Sequence, residues 1–301
     1  SLKRDNTKPV TTVNVLPGKP DGTNEWYKSE VSFTLTASDE GSGVEKTEYR
    51  VNEGDWRTYD NLVMVKTDGI YKIEYRSIDK AGNVEESKSE LLKLDKTNPV
   101  TTSKISQGEP NGANGWYTTD VNVELSANDG QSGISKTEYR VDGSDWAPYK
   151  SPIQLTIDGI HKVEYRSTDN AGNTEELKSI NVKIDKTLPE VKLNLSHYTI
   201  WSPNHKMVKV TVKPDITDSI SGFQSIVLTS ITSSEPDEWL GDGSTELDIQ
   251  NAEFGTADFE FDLRAERSGI TQERIYTIIY TITDQAGNVR KVSTIIAVRH
   301  D

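Results

Sequence analysis

The segment YKIEYRSIDKAGN at 71–83 returns as HKVEYRSTDNAGN at 161–173 and as YTIIYTITDQAGN at 276–288. In each occurrence the apolar residues fall on alternate positions: Tyr71, Ile73 and Tyr75; His161, Val163 and Tyr165; Tyr276, Ile278, Tyr280 and Ile282. Successive side chains of a strand point to opposite faces, so this period of two predicts a strand with one buried face. The strands end at Asp79, Asp169 and Asp284, followed after one residue by Ala-Gly-Asn. Glycine and asparagine tolerate positive φ, so each strand turns there and the chain returns as a second strand.

The first two copies belong to a longer repeat. Residues n and n + 90 match without a gap: Pro9 with Pro99, Trp26 with Trp116, Gly43 with Gly133, Trp56 with Trp146, Gly82 with Gly172 and Asp95 with Asp185. That period is too long for a solenoid unit and suits an independently folding sandwich. Within it, strand signals fall over Val10–Leu16, Val31–Ser38, Val44–Asn52, Leu62–Lys66, Tyr71–Asp79 and Glu85–Leu94, with loops PGKPDGTNEWY and GDWRTY between them and no helical pattern. Tyr71 enters the penultimate strand where immunoglobulin-type sandwiches place a corner tyrosine; the second copy has His161 there. Residues 187–301 read as a larger, divergent sandwich, with Val208–Thr217 as its second strand and Pro214 marking an edge or bulge. The expected fold is all-β: three tandem immunoglobulin-like β-sandwich domains in an extended rod, at 9–96, 97–186 and 187–301. Residues 1–8 (SLKRDNTK) match the linkers LLKLDKTN and NVKIDKTL and read as the tail of an upstream linker.

Two stretches, EYRVN-GDW-TY and DGIYKIEYRSIDKAGN, resemble the bacterial immunoglobulin-like repeats of the OmpL47 type, over the first two units nearly end to end. The third unit, with SPNHKMV, LRAERSG and YTITDQAGN, is similar to immunoglobulin-like modules near the ends of bacterial exoproteins. The resemblance implies a non-catalytic module of a secreted or cell-surface bacterial protein, including an accessory region of a larger secreted enzyme.

Strand direction brings carboxylates together. If the first strand of a unit runs down, the second runs up and ends beside the end of the penultimate strand and the entering linker. Each unit then collects three aspartates at one pole: Asp5, Asp39 and Asp79; Asp95, Asp129 and Asp169; Asp185, Asp218 and Asp284. Two readings stand. Each aspartate caps its own turn by accepting backbone N–H bonds, or each trio holds Ca²⁺, whose shell of oxygens screens the mutual repulsion. Glu40, Asn128 and Asp215 are further oxygen donors for such a shell, and no other cofactor is implied.

The aromatic pairs Trp26-Tyr27 and Trp116-Tyr117, with Trp56 and Trp146, either cover the sandwich edge and open end or stack on sugar rings. Trp201 and Trp239 of the third unit, in less regular sequence, are the candidate ligand contacts for a carbohydrate or a host protein. A formal charge of −14 disfavours nucleic-acid binding, which needs a basic footprint. Apolar runs are too short for a membrane-spanning helix. The histidines at 161, 197, 205 and 300 are scattered, and HExxH and GxSxG are absent, so no catalytic constellation is legible. Arg264, Glu266, Arg267, Glu273 and Arg274 read as a loop clasp. The function expected is a monomeric spacer and adhesion module that positions neighbouring domains of the same polypeptide; the alternative is a module binding polysaccharide or a host surface protein through the third unit.

Overall fold

The computed structural model describes residues 4–237, 247–269 and 271–299. Among these residues every regular element is a strand, and no helix is long and apolar enough to cross a membrane. The chain divides into two compact units, Ser1–Lys104 with Glu124–Ile153 and Lys162–Ile180, and Ile105–Val123 with Gln154–His161 and Asn181–Asp301, a division that passes through the second copy of the repeat.

The first copy contributes β1 (Val10–Leu16), β2 (Trp26–Tyr27), β3 (Val31–Ser38), β4 (Val44–Val51), β5 (Arg57–Thr58), β6 (Val63–Val65), β7 (Gly69–Asp79) and β8 (Lys88–Leu94). They form two sheets, β1-β3-β6 and β2-β8-β7-β4-β5. The inward residues of both sheets, among them Val31, Phe33, Leu35, Ile73, Tyr75, Leu92 and Leu94, make one core. The period of two thus identifies the buried face, with Tyr71 only half-buried at its rim. Tyr71 donates its phenolic O–H to the carbonyl of Thr67 at 2.8 Å, closing the corner. In the second copy the Nε2 of His161 lies 2.8 Å from the carbonyl of Ile157, so the imidazole takes the place of the phenol.

Sequence reading leaves Trp26-Tyr27 in a loop, whereas these residues form a two-residue strand parallel to β8, with Trp26 opposite Lys93 and both aromatics buried. Trp56 is held differently: the guanidinium of Arg50 lies 4.9 Å from its ring centroid and that of Arg76 4.1 Å. Those arginines sit directly across the β4–β7 ladder from Glu74 and Glu48 and bond them at 2.9 and 3.1 Å. Cross-strand pairs of opposite charge stabilise a sheet face, and the arginines engage the ring that a sugar would need.

The second copy repeats this order with β9 (Val100–Ile105), β10 (Trp116–Tyr117), β11 (Val121–Asn128), β12 (Ile134–Val141), β13 (Ala147–Pro148), β14 (Ile153–Leu155), β15 (Gly159–Asp169) and β16 (Lys178–Ile184). The third sandwich comprises β17 (Glu190–Leu195), β18 (Thr199–Ile200), β19 (Met207–Thr217), β20 (Phe223–Ser233), β21 (Ile249–Gln250), β22 (Glu260–Arg264), β23 (Glu273–Asp284) and β24 (Val289–Arg299), in sheets β17-β19-β22-β21 and β18-β24-β23-β20. Tyr276, Ile278, Tyr280 and Ile282 are all fully buried in its core. Pro214, opposite Leu193 of β17, lies beyond the 207–211 stretch that pairs with β22, where β19 needs ladder donors on one side only.

Three buried polar clusters tie strands together. The Glu85 carboxylate accepts the N–H and the hydroxyl of Thr11 at 2.9 and 2.5 Å and the N–H of Ser77 at 3.2 Å, and pairs with Lys88 at 2.7 Å; Glu175 has the same partners in Thr101, Ser167 and Lys178. Burial acts to raise each carboxyl's pKa, but the hydrogen bonds from Lys88 and Thr11, and from Thr101 and Lys178, outweigh it and hold both below the ordinary glutamate range. In the third sandwich, Arg274 is fully buried, 2.7 Å from Asp248, 3.4 Å from Glu266 and 3.4 Å from Glu235. Burial, then a hydrogen bond with Glu266, push Asp248 up to about 7 against the pull of Arg274. The clasp expected from sequence is therefore partly a core network; Glu273 stands outside it and pairs with Arg299.

A carboxyl whose folded pKa lies below its unfolded value, about 4.3 for glutamate, stabilises above that unfolded value, and the contribution is lost as pH falls through the folded pKa. Stability should therefore fall as pH is lowered from about 5, and Glu85→Gln should flatten that slope in urea titrations at several pH values. Thr11→Val, which removes a donor from a buried carboxylate, should cost ~1–3 kcal/mol at neutral pH. Arg274→Ala, which leaves the carboxylates of Asp248, Glu266 and Glu235 without their shared cation, should cost ~3–5 kcal/mol in the same measurement.

Candidate metal centre at the sandwich poles

The three sequence-predicted trios come together. In each of Asp5–Asp39–Asp79, Asp95–Asp129–Asp169 and Asp185–Asp218–Asp284, one carboxylate oxygen per residue lies within 4.8 Å of the other two. The elements that deliver them are the entering linker, the turn after the second long strand and the turn after the penultimate strand.

Each residue also caps a turn. The Asp39 Oδ1 accepts the N–H groups of Gly41 and Gly43 at 3.2 and 2.7 Å, and Gly43 holds φ at +82°, which an L side chain rarely adopts. The Asp79 Oδ1 accepts the N–H groups of Ala81 and Asn83, and its Oδ2 accepts the Asn83 amide at 2.7 Å. Asp5 bridges from the linker: its Oδ1 accepts the N–H of Thr7 at 3.0 Å and its Oδ2 that of Ser42 at 2.6 Å. The Thr7 donors, followed by those of Ser42, hold the Asp5 carboxyl well below the ordinary range. For Asp79 burial acts to raise the pKa, but the Asn83 side chain and backbone and the Ala81 N–H prevail and lower it.

The other poles repeat the main bonds. Asp95 accepts from Ser132, Asp129 from Gly133 and Asp169 from Asn173; Asp185 accepts from Ser221, Asp218 from Gly222 and Asp284 from Asn288. Sequence reasoning missed one member. The amide of Asn83 donates to Asp79 and also to the linker carbonyl of Asp5 at 3.3 Å, and Asn173 and Asn288 reach the carbonyls of Asp95 and Asp185 at 3.0 and 3.1 Å. The signal was the last letter of Asp-x-Ala-Gly-Asn, which a turn propensity alone already explains. Asn128 and Glu40, proposed as extra donors, are exposed and take no part in the hydrogen bonding of the trios.

Capping does not use every oxygen. Asp39 Oδ2 and Asp129 Oδ1 are buried without a hydrogen-bond partner. Three carboxylates this close repel one another, and a buried acceptor without a donor is costly. An all-oxygen set with spare, desolvated carboxylate oxygens fits a hard divalent cation.

Of the two tryptophans singled out for ligand contact, Trp201 is 66% exposed, and Trp239 lies outside the described residues. His205 sits in a turn at φ 62°, with Nδ1 3.3 Å from Glu266.

The fold and poles define a class: tandem immunoglobulin-like β-sandwiches, each with an acidic pole clamped onto its entering linker. No family model and no curated protein matches the chain. Solved structures similar to it include the fibronectin(III)-like modules of Clostridium thermocellum CbhA (15% identity, 57% of this chain and 94% of that chain, TM-score 0.26). A solved chain from a study of host cell surface retention of a 1.5-MDa bacterial ice-binding adhesin matches at 13% identity over 98% of both chains with TM-score 0.35. The protocadherin gammaB7 EC3-6 structure matches at 11% identity over 98% of this chain and 78% of that chain with TM-score 0.40.

Proposed function

We propose that the chain is a non-catalytic spacer and adhesion-type segment of a secreted or cell-surface bacterial protein, with domains at 9–96, 97–186 and 187–301, the first two of the OmpL47 type, and with Ca²⁺ held at the acidic poles. The observation that carries the reading is the threefold recurrence of one Asp-Asp-Asp-Asn pole, including in the divergent third sandwich. Asp5, Asp39 and Asp79, and their counterparts, would hold the ion. It supplies positive charge that relieves carboxylate repulsion. The protein's own contribution is to pin the linker, through Asp5 and the Asn83 amide, against the two turns. A repeated pole serves a repeated structural task, whereas one binding or catalytic site needs no copy. Other carboxylates also serve structure: Glu74 and Glu48 lie in a cross-strand ladder and Asp248 in a core network.

The alternative, binding of a polysaccharide or host surface protein through the third domain, has the exposure of Trp201 in its favour. Loss of glycan-array or pull-down signal on Trp201→Ala would select it.

Calcium titration with thermal unfolding tests the main reading. Added Ca²⁺ should raise Tm and EDTA should reverse it, with a gain of about 2.7 kcal/mol at a hundredfold excess over Kd. Asp39→Asn keeps an oxygen for the turn and removes one charge, so it should raise Tm without calcium and shrink the calcium-induced rise. A Tm indifferent to both calcium and EDTA overturns the calcium centre.

A further inference from the structure

The hairpin turn that carries each pole has a second face. In the first compact unit, the loop Gly22-Thr23-Asn24 packs on the turn of the second copy. The N–H of Thr23 donates to the carbonyl of Ala171 at 2.9 Å, and the Thr23 hydroxyl and the Asn24 amide both donate to the carbonyl of Asn170, at 2.8 and 2.9 Å. In the second unit the same loop one period on, Gly112-Ala113-Asn114, packs on the turn of the third sandwich. Ala113 N–H donates to the carbonyl of Ala286 at 2.7 Å, and the Asn114 amide to that of Gln285 at 2.9 Å. The approach is close enough to dictate the residue type: a Cβ on Gly22 would stand 2.4 Å from the Ala171 oxygen, and one on Gly112 2.5 Å from the Ala286 oxygen.

The system has donors and acceptors in register. The first and second copies carry a donor loop; the second copy and the third sandwich carry an occupied acceptor turn, with Ala171 and Ala286 fully buried. The turn of the first copy has the same sequence pattern and internal bonding, including Ser42 on the Ala81 N–H as Ser132 is on Ala171. Yet Ala81 is exposed, and a Cβ on Gly82 would meet nothing within 4 Å, where one on Gly172 meets Thr23 at 3.2 Å. The linker residue Asp5 is already seated over this turn as Asp95 and Asp185 are over theirs.

We infer that the Lys80-Ala81-Gly82 edge of the first copy is a docking surface for the Gly-(Thr/Ala)-Asn loop of another module of this repeat, placed ahead of Asp5 in the same polypeptide. The partner's chemistry is specified: a loop with a side-chain-free residue at the point of contact, a backbone N–H for the Ala81 carbonyl and an asparagine amide for the Lys80 carbonyl. This docking is independent of whether the poles hold calcium.

The chain contains no cysteine, so thiol labelling reads the surface directly. Ala81→Cys in the chain as it stands should label at the rate of an exposed thiol, and Ala171→Cys should label about tenfold or more slowly, through local opening only. A chain extended with a further copy of residues 9–94 ahead of Asp5 should protect Ala81→Cys by a similar factor. An extended chain whose added copy carries Thr23→Pro and Asn24→Ala should lose that protection. Labelling that is unchanged by the intact added copy overturns the inference; so does protection that persists with the broken loop, since proximity alone would then account for it. Circular dichroism of both extended chains confirms that the added copy is folded in each.

Discussion

The structure turns on a carboxylate placed where water cannot reach it. Asp79, Asp169 and Asp284 end the penultimate strands of their sandwiches and are buried. A desolvated charge is tolerated only when donors surround it, and here the donors come from the four residues that follow: backbone N–H groups and the asparagine amide. Satisfying the charge therefore dictates the turn. Once the turn wraps around its aspartate, its glycine is forced to positive φ (+88°, +91° and +90° at Gly82, Gly172 and Gly287), the asparagine amide is aimed at the linker, and the carbonyls on either side of the alanine face outward. Hairpin closure, linker attachment and the docking edge are three outcomes of one solvation requirement.

This explains how the third sandwich diverges while its pole does not. The middle of a sandwich is held by volume, and many apolar sets fill it. The pole has no such freedom, because each group answers to a particular atom of another. Ser42, Ser132 and Ser221 each place a hydroxyl on the alanine N–H and a backbone N–H on the linker aspartate. Changing one member strands its partners.

What could be read from the sequence follows the same division. Alternation located the long strands and the buried faces, since burial of Ile73, Val163 or Ile278 requires only that a side chain be apolar and in phase. The aspartate trios were legible because strand direction alone decides which ends meet. Contacts made by one residue at long range were not. Glu85 reads only as the start of the strand Glu85–Leu94, whereas β8 begins at Lys88, and Glu85 and its counterpart Glu175 are buried because Thr11 or Thr101, far upstream, supplies donors. Glu48 and Glu74 read as an outward face and are on it, but arginines stacked around Trp56 exclude water from them. Asp248 and Glu235 fell outside the expected clasp because their partner Arg274 alternates in phase with apolar Tyr276 and Ile278, and nothing in a period of two says that the inward residue carries a charge.

Gly22 and Gly112 show a further limit of local reading. Each sits in a proline-, glycine- and asparagine-rich loop, where a glycine is unremarked and would be assigned to turn conformation. Neither has the positive φ that would demand it. The demand comes from close carbonyls: that of Ala171 or Ala286 in the following copy, 2.4 or 2.5 Å from where a Cβ would be, and that of Trp26 or Trp116 in the loop's own copy, at 2.8 Å. The surface of one module thus tightens a requirement that the loop of another already imposes. The third sandwich is consistent with this: Ser196-His197-Tyr198 stands between its first strand and β18 in place of a Gly-(Thr/Ala)-Asn loop, while its own turn receives one. Donor and acceptor are separable features of a module, so the repeat encodes a direction of assembly as well as a fold.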